Sequence, residues 1–257
     1  MFRRLVLACA VMLAVASPIV AEAAPKAVTA EEIYALGQRY LNRGYYTKAL
    51  EQFNRLRTFY RDDPYSLKAE LAIADIHYRK SEWDQARVAY DDFMRAHPRY
   101  PELDLVVYRL GMTLYKKAPV IPDRDQTWTR SVVTTWAGFG GRFPESQHRE
   151  EVEKLLGKAR ARLARKELRI AEFYERRNAW SAVAGRVEPL LRNWPESPDR
   201  AEALLLLGTA RHQMGEAESA AAALERLRAD FPGSPHQRAL ERTLAKPPNP
   251  GKVGRTG

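Results

Sequence analysis

A metal or acid–base centre in this sequence would draw on five histidines, His77, His97, His148, His212 and His236, and on one cysteine, Cys9. No two histidines stand in HxxxH or HExxH spacing, which would put two imidazoles one turn apart on a helix face. Cys9 lies in the N-terminal leader, so no thiolate completes a zinc site, and a single cysteine excludes an intramolecular disulfide. His77 falls inside a helical segment and reads as packing or rim. Gly138-Phe139-Gly140-Gly141 has the glycine density of a phosphate loop, but no Lys-Ser/Thr follows and no strand precedes it. It reads as a loose helix end. The acidic pairs Asp62-Asp63 and Asp91-Asp92 read as solvated helix faces, and no nucleophile stands with an orienting base. The expectation is a protein without catalysis, metal or cofactor.

The elements that carry these residues are helical. The chain has 257 residues, 45% of them hydrophobic and 29% charged, enough for a real core under a soluble surface. The net charge of +10 raises the question of nucleic acid. The basic residues are interleaved with acidic ones, as in ELDLVVYRL and KELRIAEFYERR, which describes solvated faces and no phosphate track. Nucleic acid is therefore not an expected partner, whereas an acidic partner stays open. MFRR, an apolar run over 5–20 and Ala21-Glu22-Ala23 together form a secretory signal over residues 1–23. The run is too short and wrongly flanked for a membrane span. Val6-Leu7-Ala8-Cys9 resembles a lipobox, so Cys9 is a lipidation candidate. Only four residues separate Arg4 from Cys9, however, which favours a cysteine inside the leader's apolar run. At the other end, residues 241–257 close on KPPNPGKVGRTG, which reads as a disordered tail.

Between these ends a pattern recurs. Val183 is followed by Val187, Leu190 and Pro195 at offsets of four, seven and twelve. Ala86, Val132 and Ala220 start the same series, ending at Pro98, Pro144 and Pro232; Ala49 has Phe53 and Leu56, with its proline, Pro64, three residues late. A small residue precedes the anchor by twelve in four copies (Gly37, Ala74, Ala171, Gly208) and by 21 in the third, at Gly111. The small residue lets two helices approach, an aromatic or leucine fills the groove, and the proline ends the unit. GQRYLNRGYYTKALEQF and GTARHQMGEAESAAAALERL resemble the tetratricopeptide repeat. The expected fold is all-α, a tetratricopeptide-repeat superhelix of about five helical hairpins over roughly residues 30–240. HREEVEKLLGKARARLARKELRIAEFYERR predicts one helix of about 30 residues joining three repeats to two. This divides the chain into 24–145, repeats one to three, and 146–240, the long helix with repeats four and five.

First helices line the concave face of such an array. Their non-packing positions in the first three repeats include Tyr34, Gln38, Asn42, Lys68, Tyr78, Arg79, Tyr108, Met112, Tyr115 and Lys116. That set suits an extended peptide with aromatic side chains and a free carboxylate, which Lys116 or Arg79 would pair. The corresponding positions of the last two repeats, with Glu172 and Arg176 among them, are more polar and suit a protein partner held by ion pairs.

DRDQTWTRSVVTTWAGFGGRFPES and FYERRNAWSAVAGRVEPLLRNWPES resemble the BamD family of outer-membrane lipoproteins of the β-barrel assembly machinery; the PxRDQ loop and AGRVEPLL are the more specific parts. The resemblance implies N-terminal repeats that recognise C-terminal signals of unfolded outer-membrane proteins. It implies C-terminal repeats that dock the periplasmic domains of the barrel insertase, with Arg186 in that contact. Other assembly lipoproteins are further implied partners. The implied place is the periplasm at the inner face of the outer membrane, with peripheral membrane contact. A periplasmic repeat scaffold for envelope division or secretion is the alternative.

Overall fold

A computed structural model of the chain describes residues 28–249, which hold twelve helices and no strand. The leader, its cleavage site and Cys9 lie outside the described residues. Five antiparallel hairpins follow one another: α1 (Ala30–Asn42) with α2 (Tyr46–Phe59), α3 (Pro64–Arg79) with α4 (Trp83–Ala96), and α5 (Leu103–Lys117) with α6 (Thr127–Trp136). A one-turn α7 (Phe139–Arg142) leads to α8 (Arg149–Glu175) with α9 (Trp180–Asn193), and then α10 (Arg200–Gln213) with α11 (Ala217–Asp230). The helix α12 (Pro235–Leu244) closes the array against α10 and α11. The all-α repeat fold is thus the one the sequence pattern describes.

The anchors explain the stacking. All three anchor positions of every repeat are buried, from Ala49, Phe53 and Leu56 to Ala220, Leu224 and Leu227. A Cβ on Gly37 would lie 2.6 Å from the Phe53 ring, and one on Gly111 would overlap the Trp136 indole. The small residue and the aromatic four past the anchor therefore occupy one groove, as the spacing requires. Three core clusters run along the array: one over α1–α3, one from α3 to the first half of α8, and one from the second half of α8 to α12.

Four of the five hairpins turn through the same motif. Backbone N–H groups of Tyr45, Glu82, Ala179 and Glu216 donate to the carbonyls of Tyr40, His77, Tyr174 and Arg211 at 2.9–3.1 Å, the bond that closes a helix through a left-handed residue. That residue is Gly44 or Gly215 in two turns, but Ser81 (φ 59°) and Asn178 (φ 58°) in the others. A left-handed conformation costs a non-glycine residue about 1–2 kcal/mol. Part of that is offset by the freedom a glycine would gain in the unfolded chain. Ser81→Gly should therefore stabilise the fold by about 0.5–1 kcal/mol, raising Tm by a few degrees. A thermal melt showing no rise would mean that Ser81 carries no such strain.

The third hairpin differs. Its connection holds the PxRDQ segment, latched from both sides. Fully buried Gln126 donates to the Ile121 carbonyl at 2.8 Å, and Arg169 of α8 pairs with Asp123 at 2.6 Å. Its second helix then breaks at Gly138, left-handed at φ 69°, so Phe139 reaches the core from α7.

The long helix α8 runs 27 residues without interruption through Gly157. Val152, Leu156 and Ala159 belong to the middle core, and Ala164, Leu168 and Ala171 to the last.

Residues 241–244, expected to belong to a tail, complete α12 instead. Ser234 caps α12 by accepting from the Gln237 N–H, Pro235 fits its first turn, and Leu240 is fully buried against Gly208. Beyond the helix, the Asn249 N–H donates to Gln213 at 2.6 Å. Apolar closure of the last hairpin holds this segment, a demand that its Pro-rich composition conceals.

Candidate functional site

The concave positions of α3 and α5 converge on a cleft of about 230 Å³ lined by Asp75, Tyr78, Arg79, Tyr90, Tyr108, Arg109 and Met112. Asp75, Tyr78 and Arg79 come from the last turns of α3, and Tyr108, Arg109 and Met112 from the middle of α5. Tyr90 is the buried anchor of α4, whose hydroxyl reaches through the core. Asp75 organises the floor. Its carboxylate accepts from the Tyr90 hydroxyl at 2.6 Å and from Nη1 of Arg109 at 2.7 and 2.5 Å. Burial raises the Asp75 carboxyl above the usual range, against the opposing pull of Arg109 and the Tyr90 hydroxyl. Burial also pushes the Tyr90 phenol far up, with the neighbouring Asp75 charge adding to it. The tyrosines of the site are therefore neutral hydrogen-bond donors.

The walls are held from behind. The Tyr108 ring stacks on His148 at 4.1 Å and its hydroxyl donates to Glu151 at 2.8 Å; burial, then that bond, raises its pKa to about 12. Tyr78 meets Trp83 edge-on at 5.5 Å. Among the described residues the Arg109 side chain makes no bond besides those of Nη1, so the rest of its guanidinium is available at the cleft. Two fixed phenol rings, a thioether and two guanidiniums can hold an aromatic side chain together with a carboxylate.

Of the ten groove residues expected from the sequence, Tyr78, Arg79, Tyr108 and Met112 meet in this cleft. Tyr34 and Gln38 lie further along the face, bonded to each other at 2.8 Å, with Tyr34 packed on Phe53 and Tyr65. Lys68 sits over the Tyr65 ring at 5.1 Å. Tyr115 leans on Trp136, with the Arg162 guanidinium over its ring. Asn42 and Lys116 are exposed and do not line the cleft. The sequence reading passed over Arg109 because it stands one residue off the chosen stripe; a carboxylate on the preceding first helix, Asp75, was the signal that could have found it.

In the C-terminal half, Arg186 of α9 pairs with Glu167 of α8 at 3.2 Å, its side chain 46% exposed. Glu172 and Arg176 do not join it. Glu167 and Arg176 are nine residues apart on or at the end of α8, half a turn out of phase and so on opposite faces. Glu172 instead stands near Glu175, whose carboxyl is raised by burial first and by Glu172 second. Glu172 and Arg176 thus stand on a different face of α8 from Glu167, the residue that Arg186 meets.

Residues 26–227 match the model of the YfiO family, described as outer membrane lipoprotein. The chain belongs to this family. It is 27% identical over 214 residues to the outer membrane protein assembly factor BamD of Neisseria meningitidis, covering 80% of each chain. It is 30% identical to BamD of Pasteurella multocida over 72% of this chain and 74% of that one. With BamD of Vibrio cholerae it shares 24% over 73% and 82%. Each of these relatives is named as an assembly factor. No helix among the described residues is long and apolar enough to cross a membrane.

Proposed function

We propose that this YfiO-family protein is an adaptor of outer-membrane protein assembly, with a substrate site in its N-terminal hairpins and a partner surface in its C-terminal ones. One observation carries the substrate half. The cleft offers Tyr78, Tyr108 and Met112 as walls and leaves the guanidiniums of Arg79 and Arg109 to a carboxylate. The ligand it fits is the C-terminus of an unfolded barrel protein ending in an aromatic residue. A labelled peptide of that kind should bind the purified protein, and the same peptide with an amidated C-terminus should bind about tenfold or more weakly. Equal binding of the two would remove the carboxylate from the recognition.

The partner half rests on the family and on the exposed Arg186. Arg186→Glu should weaken binding to the periplasmic domains of the barrel insertase by about 2 kcal/mol or more. The substituted carboxylate would also face Glu167. Unchanged affinity would take Arg186 out of the contact. Affinity purification from solubilised envelopes separates this reading from its rival: a co-purifying insertase supports assembly, and a division or secretion complex in its place supports a general envelope scaffold.

A further inference from the structure

We propose that the cleft between the end of α2 and the start of α3 binds the phosphate of an anionic phospholipid at a membrane surface, with Phe59 entering the lipid beside it. The cleft, about 410 Å³, is lined by Arg57, Thr58, Arg61, Ser66 and Glu70, away from the peptide site. Among the described residues neither Arg57 nor Arg61 has a hydrogen bond or ion pair, whereas Glu70 is held by His97 at 2.8 Å. Asp63, on the same turn, caps α3 by accepting from the Tyr65 N–H; Asp62 beside it is exposed and outside the lining.

Ser66 supplies the second observation. It is only 2% exposed, lines the cleft, and its hydroxyl makes no hydrogen bond among the described residues. The hydroxyl opens onto the cleft and is not sealed in the interior, so it can donate to an acceptor that enters from outside. Two guanidiniums and two hydroxyls, those of Thr58 and Ser66, match the oxygens of a phosphate group.

Phe59 decides between a lipid and free phosphate. It is 75% exposed, the last residue of α2, next in sequence to Thr58 and itself outside the lining. A ring held out in water adds nothing to a soluble phosphate, but beside paired cations it suits the boundary between headgroups and acyl chains. The position in the fold agrees. The Tyr60 hydroxyl donates to the Val28 carbonyl at 2.8 Å, so the chain enters the first hairpin beside this turn, in a family described as outer membrane lipoproteins.

The test is cosedimentation of the protein, as matured in the envelope, with phosphatidylglycerol–phosphatidylcholine vesicles (about 3:7) and with phosphatidylcholine alone, wild type against variants. The wild type should prefer the anionic vesicles by about tenfold or more, and R57Q/R61Q should abolish the preference. Ser66→Ala, which keeps charge and packing, should reduce it several-fold, and Phe59→Ser should lower anionic binding with no change in helicity. A wild type without preference, or R57Q/R61Q with the wild-type preference, overturns the proposal. Wild-type anionic binding by Phe59→Ser, with displacement by inorganic phosphate, would assign the cleft to free phosphate and overturn the lipid reading. Peptide binding by R57Q/R61Q should stay at the wild-type level, which separates this site from the peptide cleft.

Discussion

Arg109→Gln should cost the peptide cleft more than tenfold in affinity for a C-terminal aromatic peptide, with a smaller effect on the fold. The guanidinium has two tasks. Through Nη1 it neutralises Asp75, and through the rest of the group it faces the ligand. Glutamine removes the charge that a carboxylate would seek and leaves Asp75 with the Tyr90 hydroxyl and the Arg79 charge. The Asp75 carboxyl, already raised by burial, then rises further, because the lost partner opposed that rise. The side chains of Arg109 and Asp75 are 31% and 21% exposed, so the fold itself should lose only about 1–2 kcal/mol. Arg109→Lys should keep part of the affinity, as a point charge without the planar fork. Anisotropy titrations with acid and amidated peptides separate the two tasks. Removal of the carboxylate contribution with retained helicity is the expected signature. A glutamine variant that still tells acid from amide would sink the assignment.

The second large effect concerns packing. Gly111→Ala should destabilise the protein by about 3 kcal/mol or more, above the usual range for overpacking. The added methyl would overlap the indole of Trp136, which is fully buried and cannot step aside. The damage should also spread. In a stacked array each hairpin is stabilised chiefly by its neighbours, and the third one links the first two to the rest. Urea denaturation should therefore show an earlier midpoint and a broadened transition, as the N-terminal hairpins part from the C-terminal ones. Trp136→Phe in the same chain should restore part of the loss by making room. A variant with wild-type denaturation would mean that α5 and α6 are not as close as described.

Much of the fold was legible because repetition makes a weak signal strong. No single Ala-x-x-x-Phe is informative, but five copies of the anchor series, with prolines and small residues in register in four copies each, fix the anchors, and every anchor is buried. Helical spacing also singled out Tyr78, Arg79, Tyr108 and Met112. What it could not give was pairing between repeats. Asp75 and Arg109 meet only because two first helices pack side by side at one particular register, and 34 residues separate them in sequence. The C-terminal candidates show the same limit: Glu172, Arg176 and Arg186 are close along the chain, but helical phase carries Glu172 and Arg176 away from Glu167, where Arg186 sits. The α12 cap was hidden because its buried contact is a single leucine in a polar helix, Leu240, and the glycine that receives it lies two helices earlier.

The helix α8 belongs to two cores at once, gripped by α6 and α7 near its start and by α9 and α10 near its end. Tyr108, a wall of the peptide cleft, is bonded to Glu151 at one end, and Arg186 is bonded to Glu167 further along. A rod of 27 residues is about 40 Å long, so a tilt of about 5° at one end moves the other by roughly 3 Å. The two halves of the molecule therefore share a lever: under the proposed function, a push at the cleft would displace the surface around Arg186.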